Sequence, residues 1–191
     1  IVEKVEGFTT PSRFVELLDD TIVVNHESLG VFLLDFDWNN LVIRSEKQIP
    51  ALGTASSLFL LKDELYYKSS EGFFNVDKGA LQYHRELTAL VPEPIVRPAQ
   101  NSYEPDEVSF LSKEKILRLR VTNTGDYRAI EEFLPETRLK SFGVSGFENI
   151  NAIDSNEYLI GLKDGFLVID TNLNDEEPTS FPIWLLNLEA A

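Results

Sequence analysis

The sequence predicts an all-β chain of about four four-stranded antiparallel units. Three observations predict it: a strand–turn–strand pattern that recurs, a glycine closing its second turn at positions 30, 72 and 165, and flanks rich in Val, Ile, Phe, Tyr and Leu. Such side chains fit a pleated, half-buried surface. Asp, Asn and Ser at the turns bond their own backbone and tolerate left-handed conformations. Glycine enters positive φ without a Cβ clash.

The copies align element by element. Leu17–Leu18, the Asp19-Asp20 turn and Thr21–His26 lead through Gly30 into Val31–Asp35. Leu60–Leu61, Lys62-Asp63 and Glu64–Lys68 lead through Gly72 into Phe73–Asp77. Ala152–Ile153, the Ser155-Asn156 turn and Glu157–Leu162 lead through Gly165 into Phe166–Asp170. Gly30 and Gly72 lie 42 residues apart, and Gly72 and Gly165 lie 93 apart, close to twice that. A degenerate copy belongs near residue 118. Val108–Leu111 and Ile116–Val121 fill that place as a hairpin without the glycine.

Fourth strands are expected at Leu41–Arg44, Leu81–Glu86, Tyr127–Phe133 and Phe181–Leu188. Val91–Pro105, with four prolines, reads as an extended loop, and Leu134–Gly146 as a second irregular stretch. Arg13–Leu18 and Ala129–Phe133 are short helix candidates that sit better as strands. The units fall near residues 13–45, 56–88, 107–134 and 146–175. Repeats of roughly 40–47 residues match the blades of a β-propeller. Residues 1–180 are read as a propeller segment, and residues 181–191 as a closing strand or the first strand of a following domain.

Composition bounds the function. The 191 residues carry 32 acidic and 17 basic side chains, a net charge of −15. Nucleic acid is not expected as a direct partner, because phosphate binding needs clustered Lys and Arg. An anionic membrane surface is disfavoured for the same reason. With no Cys there is neither a disulfide framework nor a thiolate zinc site. No apolar run approaches the length of a membrane span. The chain starts at Ile1 and is read as a piece of a longer polypeptide.

The segment Gly146-Phe147-Glu148-Asn149-Ile150, followed by Tyr158-Leu159-Ile160-Gly161-Leu162, Asp164-Gly165-Phe166 and Ile169-Asp170, resembles two-component-regulator propellers. It most resembles the Bacteroidetes helix-turn-helix, LuxR-class ligand-binding sensor proteins. In these the last blade runs into a triple-tyrosine-type β-sandwich, and Phe181–Glu189 resembles the first strand of such a domain. The chain departs from that pattern at Leu162, where Thr is common, and in lacking the blade Trp. The resemblance implies a periplasmic sensor region, anchored by a membrane span and coupled to a transcription or kinase module. It also implies a glycan-derived or other small ligand.

Chemistry-bearing constellations are few. Asp35-x-Asp37-x-Asn39, with Glu46 at the twelfth position, has the ligand spacing of an EF-hand calcium loop. The flanks are strand-like, however, and the Asp recurs as Asp77 and Asp170, so a turn role accounts for all copies. No metal or other cofactor is expected. His26 and His84 lie on strands, and no Ser sits in a nucleophile elbow. Phe14, Phe59, Phe73, Phe74, Phe110, Tyr158 and Phe166 are expected to pack between units, leaving Trp38 as the exposed aromatic for ligand contact.

The first expectation is therefore a non-catalytic, periplasmic sensor segment. The alternatives are a protein-interaction propeller of a surface or secreted assembly, and a propeller hydrolase or lyase. An open arc of units would expose apolar end faces, which homo-oligomerisation would cover.

Overall fold

A computed structural model of the chain describes residues 6–12, 14–18, 20–91, 97–100, 103–112, 115–133, 150–162 and 165–170. These residues form mostly β structure, in four antiparallel sheets whose strands follow chain order. The first sheet is β1 (Phe14–Leu18), β2 (Thr21–His26), β3 (Gly30–Asp37) and β4 (Val42–Ile49). The second is β5 (Ser57–Leu61), β6 (Glu64–Ser69), β7 (Gly72–Asp77) and β8 (Ala80–Tyr83), followed by α1 (Arg85–Leu90). The third is β9 (Arg97–Gln100), β10 (Glu107–Leu111), β11 (Lys115–Val121) and β12 (Tyr127–Phe133). The fourth is β13 (Ile150–Ala152), β14 (Glu157–Leu162) and β15 (Gly165–Asp170). By contacts the chain divides into two compact units, residues 1–58 with 64–88 and residues 59–63 with 89–191.

The turns follow the expected chemistry. Lys62 and Asp63 have φ of 54° and 62°, and Lys78 and Gly79 of 47° and 76°. Two left-handed residues in a two-residue loop match the right-handed twist of the flanking strands. The recurring glycines have φ of 103° at Gly30, 120° at Gly72 and 149° at Gly165. At Gly30 a Cβ would also collide with the Ile49 carbonyl and the Ala51 amide, so space and φ both require glycine there. In the third sheet Lys115 stands at the glycine's place, and Ser112 faces it across the hairpin. The Ser112 Oγ accepts the Lys115 N–H at 3.1 Å and donates to the Lys115 carbonyl at 3.0 Å, closing the turn through a side chain.

Three elements differ from the expectation. The strand expected over Leu81–Glu86 ends at Tyr83, and α1 begins two residues later. His84 caps the helix: its Nδ1 accepts the Leu87 N–H at 3.3 Å, and its carbonyl accepts the Thr88 N–H at 3.1 Å. The expected loop Val91–Pro105 contains β9, which pairs Pro98 with Phe110 and Arg97 with Leu111. Pro98 is tolerated because β9 is the sheet's edge strand, where a missing donor leaves no ladder bond unmade. The expected Leu41–Arg44 strand runs on to Ile49, and its Arg44–Gln48 stretch is exposed. Of the two short helix candidates, Phe14–Leu18 and Ala129–Phe133 hold strands, as read, and Arg13 lies outside the described residues. Residues 134–149 and 171–191, with the Gly146–Asn149 lead and the Phe181–Leu188 strand, lie outside the described residues.

Each unit has its own core. In the first, Val24, Phe32 and Leu34 pack with Phe8, Ile22 and Ile43. In the second, Leu111 and Ile116 of the third sheet pack with Ile150, Tyr158, Ile160 and Leu167 of the fourth. Each fully buried apolar side chain contributes about 1.5–3 kcal/mol. Phe59 meets Phe110 edge-on at 5.1 Å. Phe59, Phe73, Phe74, Phe110 and Tyr158 are buried as expected, whereas Phe14 and Phe166 are only half-buried. No helix among the described residues is long and apolar enough to cross a membrane.

Candidate functional site

The calcium-like segment folds as a turn. Asp35 stays within β3 opposite Ser45, with its side chain exposed, and the register shifts between Asp35 and Phe36. That bulge carries β3 two residues further, so Asp37, not Asp35, organises the turn. Asp37 Oδ1 accepts the backbone N–H groups of Asn39 at 2.9 Å and Asn40 at 3.2 Å. Its Oδ2 accepts from the Asn40 amide at 2.9 Å and from Arg44 Nη2 at 2.6 Å. The Asn40 and Arg44 hydrogen bonds hold the carboxyl well below the usual carboxylate range. Both oxygens face donors, one of them cationic, which is the opposite of what a calcium ion needs. Glu46 sits across from Leu34 on exposed β4, and Asn39 contributes its backbone to the turn. Among the described residues no three His, Asp or Glu side chains gather as metal ligands. Trp38 is exposed, as expected, and stacks edge-on against Phe36 at 4.7 Å.

The two histidines serve the backbone. His84 caps α1. His26 Nδ1 accepts the N–H groups of Ser28 at 3.2 Å and Leu29 at 3.1 Å, closing the turn between β2 and β3.

The main polar cluster was missed. Glu107, Ser109 and Tyr158 have no exposed surface, and Arg118 keeps only 6%. Glu107 lies opposite Arg120, and Ser109 opposite Arg118, on one face of the β10–β11 hairpin. Glu107 Oε1 accepts from Arg118 Nε at 3.0 Å and from the Tyr158 hydroxyl at 2.8 Å. Its Oε2 accepts from Arg118 Nη2 at 3.2 Å and Arg120 Nε at 3.0 Å. Ser109 Oγ donates to the Tyr158 hydroxyl at 2.8 Å. Burial works to raise the Glu107 pKa. The Arg118 and Tyr158 hydrogen bonds and the two guanidinium charges outweigh it, and the carboxyl ends below its ordinary value. Burial also raises Tyr158, helped by the Glu107 charge. The arrangement holds a carboxylate ionised in a dry interior and offers it no access to a substrate.

No protein-family model matches the chain, and no curated protein matches it. Among solved structures it is similar to PorZ, described as an essential bacterial surface component of the type-IX secretion system of Porphyromonas gingivalis. The identity is 13% and the TM-score 0.47, over 84% of this chain and 21% of that one. The chain thus spans about a fifth of the PorZ chain.

Proposed function

We propose that the chain is a β-propeller segment acting as a non-catalytic protein-interaction module of an exported assembly, in the periplasm or at the cell surface. One observation carries the reading: both histidines and the two arginine-held carboxylates, Asp37 and Glu107, are committed to the backbone or to ion pairs. His26 and His84 close a turn and a helix end, Asp37 organises a turn, and Glu107 is enclosed by two arginines and a tyrosine. The propeller assignment is supported by four sheets of sequence-consecutive strands and by the positive-φ glycines at matching turns. The exposed large side chains include Trp38, Tyr83 and Tyr103, residue types enriched at interfaces. The sensor reading rests on the resemblance of the last unit and stands second. A parent gene encoding a membrane helix and a DNA-binding or kinase module would move it to first.

The test is photo-cross-linking in cells expressing the full-length protein, with a benzoylphenylalanine at Trp38 or at Tyr83. The expected result is a discrete cross-link to one other envelope protein. Absence of any cross-link from either position, together with turnover of glycoside or peptide substrates by the purified protein, overturns the reading.

A further inference from the structure

At the open end of the β1–β2 hairpin lies a cleft of about 280 Å³, bounded by Pro11, Ser12 and Phe14 on one side and by residues 25–28 on the other. Its floor is built. Ser12 Oγ donates to the Asn25 carbonyl at 2.7 Å, and the Asn25 amide reaches the Ser56 carbonyl at 3.2 Å. Asn25 is buried, so this wall is fixed by the fold. The His26 ring is fixed as well. With Nδ1 accepting two backbone N–H groups, the neutral imidazole carries its proton on Nε2 and can donate there. Glu27 has no ionic partner among the described residues and is exposed at the cleft. Ser28 adds a hydroxyl, and Phe14 and Pro11 supply apolar surface.

We infer that this cleft binds a lysine side chain presented by an extended, basic peptide segment of a protein partner. The charges decide the occupant. A net charge of −15 draws cations toward the chain, and Glu27 gives the cleft a local anion. An ammonium has three donors, which the Glu27 carboxylate and the Ser28 hydroxyl accept. The four-carbon stem lies on Pro11 and Phe14, keeping its charge at the wet end. The His26 Nε2–H then meets an acceptor that a free amine lacks, the backbone carbonyl of the peptide. The inference deepens the interaction reading by naming the chemistry of one contact.

The experiment is an amide-detected NMR titration of the whole chain with acetyl-Gly-Lys-Gly-amide, and with the same peptide carrying norleucine in place of lysine. Saturable shifts of the Asn25–Leu29 amides with the lysine peptide are expected, with binding at least fivefold weaker for norleucine. Glu27→Gln should weaken the lysine peptide about fivefold, the upper worth of an exposed ion pair, and leave norleucine unchanged. Unmoved amides at Asn25–Leu29, equal binding of the two peptides, or an unaffected Glu27→Gln variant each overturn the site. Silence of the peptide beside an intact photo-cross-link removes the cleft and spares the interaction reading. Peptide binding without any cross-link supports the cleft and removes Trp38 and Tyr83 from the contact surface.

Discussion

Asp37 and Glu107 are both carboxylates held by arginine, but they organise different lengths of chain. Every partner of Asp37 lies within seven residues of it, and its arginine is 58% exposed. The partners of Glu107 lie 11, 13 and 51 residues away, and Arg118 is almost covered. Water can replace the Arg44 contact, because that guanidinium is already wet. Arg120 is also partly wet, but nothing replaces the Arg118 and Tyr158 contacts of Glu107, which are buried. An exposed pair refines a turn, whereas an enclosed one becomes a condition of the packing around it.

The contrast can be broken at its strong end first. Glu107→Ala leaves Arg118 buried without its counter-ion and should cost about 3–5 kcal/mol in urea unfolding. A loss below about 1 kcal/mol would show that the pair is solvated in solution. Tyr158→Phe removes one donor to Glu107 and the acceptor for Ser109. That change should cost about 1–3 kcal/mol, with the β-sheet circular dichroism unchanged.

Acid sharpens the comparison. The folded pKa of Glu107 is lowered from an ordinary 4.5, so its contribution is complete above that value and is lost as pH falls through the folded one. The melting temperature should therefore fall below about pH 4.5. Glu107→Gln should start lower at pH 7, fall less steeply and approach the parent in acid. Parallel curves for the two proteins would remove Glu107 from the acid response. The smallest effect belongs to Asp37→Asn. It should lower the melting temperature by less than Tyr158→Phe, and 1 M salt should shrink the difference, because the Arg44 side of the pair is open to solvent. A drop as large as that of Glu107→Ala would erase the distinction.

The same division marks what the sequence could reveal. Hairpins with glycine or Lys-Asp turns were legible, because their φ values follow from residue type at one or two positions. Helix α1 was not, since six residues are too few to show a helical period and its start depends on the His84 cap. Strand β9 was hidden by Pro98, which is acceptable only once the strand is known to be an edge. The charged run Arg44–Gln48 concealed the length of β4 in the same way. For the Glu107 cluster the alternation was in view: Glu107 and Ser109, like Arg118 and Arg120, share a strand face. What no local pattern supplies is Tyr158, which a separate sheet brings in.

Strand neighbours in this molecule are also chain neighbours, so each sheet can pair as soon as its own residues are made. The Glu107 cluster is the exception. Its arginines arrive soon after it, but Tyr158 is 51 residues later, several seconds of synthesis at roughly 5–20 residues per second. For that interval the β10–β11 face that carries Glu107, Leu111, Ile116 and Arg118 waits for its cover, while Phe110 on the opposite face can already meet Phe59. The last step in closing that face is therefore the arrival of the fourth sheet, which no pairing within the β9–β12 sheet can replace.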